Sequence, residues 1–173
     1  MNADELHEAA LAYLARRPAT ATMMKRVLER RVRKKGIDLD DVADAIQKVV
    51  ARLVEVGLDD DASFAATRVE RLGRGGRSSR AIAAHLAQRG VRSDVARAAL
   101  ATRDASADLD AALVLTRKRR IGAFARTPAI DPDARRKELG ILARAGFDRS
   151  TAERALRIDR DEAEERLFAN ARR

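Results

Sequence analysis

Three glycines set the plan of this chain. Gly36, Gly90 and Gly146 lie 54 and 56 residues apart, and the same pattern of small and apolar residues surrounds each. One residue after them come Ile37, Val91 and Phe147, and four residues before them stand Val32, Leu86 and Leu142. Nine and ten residues further on are Ala45-Ile46, Ala99-Leu100 and Ala155-Leu156. Agreement at five columns over three copies marks an internal repeat of about 55 residues. Glycine takes the left-handed conformation at the end of a helix at little cost, so each of the three reads as a helix stop. Such short units bury little alone and gain stability by stacking on one another. The expected fold is all-α: an elongated, curved array of three tandem three-helix repeats, helix-turn-helix-like, over 1–57, 58–103 and 104–158. A charged tail, 159–173, follows.

The composition agrees with thin helical layers. Apolar residues make up 46% of the chain, but many are alanine, and the aromatics are only Tyr13, Phe64, Phe124, Phe147 and Phe168. The alternation of β-branched and aromatic residues that marks strands is absent.

In the first repeat, Leu6, Ala9, Ala10, Tyr13 and Leu14 predict an amphipathic helix over 4–17, ended by Pro18. Thr20 or Thr22 caps the next, with Met24, Val27, Leu28 and Val32 inward and a nearly solid basic surface elsewhere. Asp38 and Asp40-Asp41 are expected to open a third helix, whose stripe is Val42, Ile46, Val49, Val50, Leu53 and Val54. Gly57 closes it.

The second repeat starts with Asp59-Asp60-Asp61, read as a cap and first-turn charge for the helix holding Phe64, Val69 and Leu72. A flexible basic turn follows from Gly73 to Arg80; Ser78 or Ser79 caps the helix of Ile82, His85 and Leu86, and Ser93 caps the next. In the third repeat a helix through Leu109, Ala112 and Leu113 ends in the run Arg117-Lys118-Arg119-Arg120. Pro128 and Pro132 bracket a loop, with Asp131 as N-cap and Pro132 at the first helical position. A last helix in the tail would rest on Leu167 and Phe168.

The absence of cysteine excludes disulfides, thiolate metal sites and a Cys nucleophile. No apolar run is long enough for a membrane span, and the N-terminus has no hydrophobic leader, so a soluble, cytoplasmic protein is expected. His7 has no second ligand at helical spacing, and His85, three residues from Ile82, reads as structural. The glycines at 73–76 lack the Gly-Lys-Ser/Thr and preceding strand of a phosphate loop. No enzymatic site, cofactor or metal is expected.

The chain carries a net charge of +9, and 36% of its residues are charged. That much charge suits solvated helix faces, but the excess of Lys and Arg points to a polyanionic partner or an acidic protein surface. Basic clusters occur once per repeat: Arg31, Lys34 and Lys35; Arg74, Arg77 and Arg80; Arg117, Lys118, Arg119 and Arg120. Stacked repeats would line them along one side, facing filament or DNA phosphates.

Two motifs carry a family resemblance. Gly57-Leu58-Asp59-Asp60-Asp61-Ala62-Ser63-Phe64-Ala65 resembles the Gly-Tyr-Leu/Ile-Asp/Asn-Asp-x-x-Phe-Ala signature of the RecX family, bacterial regulators of the recombinase RecA. Arg74 to Val91 is similar to the family's second motif, with Arg74, Gly76, Ile82, Leu86, Arg89, Gly90 and Val91 matching or conservatively changed. Ser78 stands where the family usually has Gly, and His85 where it usually has Glu. The structural signature residues are then Gly57, Asp60, Phe64, Ile82, Leu86 and Gly90. The resemblance implies a monomeric, non-enzymatic protein that binds RecA and its filaments on single-stranded DNA and restrains filament growth, ATPase and strand exchange. Charge alone supports a different expectation, a stand-alone basic helical DNA-binding protein, although scarce aromatics argue against a base-stacking platform. Weak direct DNA binding is compatible with either.

Overall fold

The computed structural model describes residues 1–57, 61–127 and 131–172, and all regular structure among them is helical. The α-helices are α1 (Ala3–Leu14), α2 (Ala21–Lys34), α3 (Ala43–Glu55), α4 (Asp61–Arg74), α5 (Ser79–Gln88), α6 (Ser93–Ala101), α7 (Ala107–Arg119), α8 (Pro132–Arg144), α9 (Arg149–Arg157) and α10 (Arg160–Ala171). A single 3-10 turn, Gly122–Phe124, follows α7. They form two compact units: Met1–Ala66 with Leu86–Ala96, and Thr67–His85 with the chain from Arg97 onward.

The first unit has a core of Leu6, Ala9, Ala10, Met24, Leu28, Val32, Val42, Ile46, Val49 and Leu53, where α1, α2 and α3 meet. Asn2 caps α1 in a reciprocal box: its side chain accepts from the Glu5 N–H at 2.8 Å while Glu5 accepts from the Asn2 N–H. The helix stops at Leu14, before the expected end. Of the two candidate threonines, Thr20 caps α2. The aspartates do not open α3. Asp38 accepts the N–H of Asp40 at 3.2 Å, folding 38–40 into a local turn, and Val42 sits at the N-cap position without a side-chain bond. Val54 points outward, 45% exposed, because the α3 stripe is narrower than the run of valines suggested.

The second unit packs Leu109, Ala112, Leu113, Ile121, Leu142, Phe147, Ala155, Leu156, Ala163 and Leu167 into one core. Asp131 caps α8 with Pro132 at its first position. The tail is the ordered helix α10: Arg166 donates to the buried Asp110 on α7 at 2.8–2.9 Å. Leu167 is buried, whereas Phe168 is 63% exposed under the Arg172 guanidinium, not a support for the helix. In the described part of the motif from Gly57 to Ala65, Asp61 is the first residue of α4, and the expected caps Asp59 and Asp60, like Pro128, lie outside the described residues. Helix α6 begins at Ser93 itself.

The stop glycines share one geometry. Gly36, Gly90 and Gly146 have φ of 72°, 79° and 87°. In each case the amide after the glycine donates back five positions: Ile37 to Val32, Val91 to Leu86, Phe147 to Leu142. These bonds close the helix C-terminus, and the flanking apolar pair is the hydrophobic contact that accompanies the motif. Three of the five repeat columns are therefore the chemistry of a helix end, and the other two lie in the helix that follows.

Two of these ends are occupied. Thr20, 1% exposed, accepts the Met23 N–H at 3.1 Å and donates its hydroxyl to the Arg89 carbonyl, just before Gly90, at 2.6 Å. Ser78, fully buried, accepts the Ala81 N–H at 3.2 Å and donates to the Ala145 carbonyl, just before Gly146, at 2.8 Å. A cap hydroxyl at the start of one helix thus satisfies the end of another, once in each unit. The approach is close: a Cβ on Gly146 would lie 2.7 Å from the Ser78 hydroxyl, and one on Gly90 would collide with Thr22.

Candidate basic binding surface

In the second unit, two basic clusters far apart in sequence meet. The turn after α4 presses on α7, where a Cβ on Gly76 would stand 2.9 Å from Val114 and 3.2 Å from the Ala111 carbonyl. Gly76 and Ser78 are both buried, so the arginine turn is held by packing and is not a free loop. Ser79 donates its N–H and its hydroxyl to Asp108 at 2.9 and 2.8 Å, and Arg103 reaches the same carboxylate at 3.3 Å. At the other end of α7, Lys118 Nζ donates to the Gly75 carbonyl at 2.7 Å. That bond sets the run Arg117–Arg120 beside the turn that carries Arg74, Arg77 and Arg80.

These cations differ in availability. Arg74 is paired with Glu70 at 2.8 Å, and Lys118 is held by Gly75. Arg77, Arg80, Arg117, Arg119 and Arg120 are exposed and form no ion pair among the described residues. Arg120 has φ 55°, the one non-glycine among the described residues with positive φ. Its neighbour Ile121 donates back to Thr116, so Arg120 occupies the position that glycine fills at the other helix ends.

In the first unit, Arg31, Lys34 and Lys35 are exposed at the end of α2. Together with Arg30, Val27 and the half-buried Tyr13 of α1, they line a groove of about 670 Å³. From sequence, Tyr13 and Val27 are expected inward, and Arg30, although on the basic face of the helix, stands outside the cluster Arg31, Lys34 and Lys35. The signal was present in the spacing 27, 30, 31 and 34, which puts all four on one helix face.

The described residues contain no group of three or more His, Cys, Asp or Glu placed to hold a metal ion. The carboxyl of Asp148 is lowered to about 2 by bonds from the Ser150 hydroxyl and from the Thr151 N–H and hydroxyl, as befits the cap of α9. No helix among the described residues is long and apolar enough to cross a membrane.

The model of the RecX second three-helix domain matches residues 60–100. The Regulatory protein RecX of Myxococcus xanthus is 36% identical over 157 residues, covering 87% of this chain and 83% of that protein. The chain belongs to the RecX family. The Regulatory protein RecX of Mycobacterium avium is 41% identical over 128 residues, covering 72% of this chain and 69% of its own length. Two RecX crystal structures share the fold. One, of a regulatory protein RecX, has a TM-score of 0.68 at 19% identity, covering 87% of this chain and 70% of the other. That of RecX from Lactobacillus salivarius has 0.62 at 18%, covering 96% and 97%.

The RecX signature residues that are described have structural roles. Gly57 has φ 73°, Phe64 is 2% exposed, and Ile82 and Leu86 are fully buried. Asp60 lies outside the described residues. Of the two departures from the usual RecX pattern, Ser78 is a buried cap and His85 is half-buried on α5.

Proposed function

We propose that this chain binds RecA and its filaments on single-stranded DNA and restrains filament growth, ATPase and strand exchange. In this way it tunes recombination, DNA repair and the SOS response. The observation that carries the reading is its kinship, over most of both chains, with proteins named Regulatory protein RecX. It acts by binding, not catalysis, as a cytoplasmic monomer without a cofactor, through the repeats 1–57, 58–103 and 104–158. The contact residues proposed are Arg74, Arg77, Arg80, Arg117, Lys118, Arg119 and Arg120 on the second unit and Arg31, Lys34 and Lys35 on the first. Exposed guanidinium groups without carboxylate partners suit phosphate oxygens, which they hold with paired donors.

The test is RecA ATPase on single-stranded DNA, with strand exchange alongside. Inhibition is expected well below equimolar ratio, and unchanged RecA activity at equimolar ratio would sink the proposal. The exposed arginines also favour a second reading, direct binding to DNA without RecA. With about six phosphate contacts, affinity would fall on the order of 10³-fold between 50 and 200 mM salt. No binding at low salt eliminates it.

A further inference from the structure

The two occupied helix ends have an open counterpart. Each occupied end consists of a left-handed glycine and the carbonyl before it, filled by a buried hydroxyl cap. At the end of α2, Lys35 and Gly36 have the same backbone, with Gly36 at φ 72° and Ile37 donating to Val32. Yet a Cβ on Gly36 would meet nothing within 4 Å, where one on Gly90 or Gly146 would run into Thr22 or Ser78. Beside them lies the groove lined by Tyr13, Val27, Arg30, Arg31, Lys34 and Lys35.

We propose that the Lys35–Gly36 end docks the N-terminus of a helix from a partner protein, one that begins with a Ser or Thr cap and carries Asp or Glu in its first turn. The hydroxyl is required because the end offers a carbonyl acceptor, which only a donor satisfies. The acids follow from charge. Helices α2 and α5, which fill the other two ends, have no acid in their first turns. The open end differs, with Arg31, Arg33 and Lys34 in the last turn and Lys35 at the C-cap. The positive end of an incoming helix dipole also complements the negative end of α2, and acids in its first turn offset the cations around the seat. A second copy of this chain fits poorly. Helix α8 is capped by Asp131, whose carboxylate has no proton to give to a carbonyl. Helix α7 does start at Ser106 with acids in its first turn, but Asp108 is bonded to Ser79 and Arg103, and Asp110 to Arg166. This inference does not rest on the RecA reading, and the RecA assays leave it untouched.

The test is an amide-shift titration of the isotopically labelled full chain. The probe is a stapled helical peptide with Ser at the N-cap and three Glu in the first turn. Shifts are expected to centre on residues 31–37. Replacing the peptide's Ser by Ala should weaken binding roughly fivefold, the value of one net hydrogen bond. Gly36→Asn, which tolerates left-handed backbone, fills the seat and should abolish peptide binding while leaving binding of oligo-dT unchanged. The proposal is overturned if the Ala-capped peptide binds equally well, if Gly36→Asn binds the peptide like wild type, or if shifts map elsewhere. It is also overturned if the peptide fails to bind at millimolar concentration. Oligo-dT displacing the peptide irrespective of the residue at 36 would make the site a phosphate surface instead.

Discussion

Arg120 is held in a conformation that costs a side-chain-bearing residue on the order of 1 kcal/mol. Arg120→Gly should therefore raise stability by about that amount, read as a higher urea midpoint, while removing one cation from the surface. Asp148 offers a second test. Its carboxyl is lowered from 3.8 to about 2, so its stabilisation is fully present above pH 4 and fades as pH falls towards 2. The gap in urea midpoint between wild type and Asp148→Ala should accordingly narrow from pH 5 to pH 2. Both residues show how far single letters can be read. Asp131 was legible because a proline follows it, but the aspartates at 38, 40 and 41 misled. A short acidic side chain bonds its own local backbone as readily as a helix start, and only the fold decides between them. Phe168 misled similarly, since an apolar residue in a charged helix need not face inward.

At the scale of helices, the stop glycines were legible and their partners were not. A fixed spacing exposes a glycine repeated three times. Nothing local announces that Thr20 and Ser78 reach across 69 and 67 residues to the carbonyls at 89 and 145. Substitutions should separate the two kinds of site. Gly36→Ala meets open space and should cost only the left-handed penalty, about 1 kcal/mol. Gly90→Ala and Gly146→Ala add a collision, with Thr22 and with the buried cap Ser78 respectively, and should cost on the order of 3 kcal/mol or more. Thr20→Val removes a cap and strands the partly buried Arg89 carbonyl, for about 2 kcal/mol. Chemical denaturation of the four variants checks the order.

For the molecule as a binding protein, the basic clusters were visible as letters, but the meeting of two of them was not. Residues 74–80 and 117–120 adjoin because Lys118 reaches Gly75 and Gly76 packs on α7. Reversing charge at Arg74, Arg77 and Arg80 should weaken filament binding, measured as lost inhibition of RecA ATPase, with helicity by circular dichroism unchanged. Reversal at Arg117, Arg119 and Arg120 should have a similar effect, and the combined variant should lose less than the sum, because neighbouring sites on one surface are not additive. Wild-type inhibition by the first variant would refute this placement.

The hydroxyl-to-glycine joints also have a direction in time. In both, the hydroxyl comes earlier in the chain and the glycine later. On a ribosome, Thr20 emerges well before the carbonyl that receives it, and Ser78 waits in the same way for Ala145. Each cap hydroxyl therefore lacks its carbonyl acceptor until the following repeat has been made, so the protein should acquire protease resistance in steps during synthesis, first as Gly90 clears the exit tunnel and again as Gly146 does.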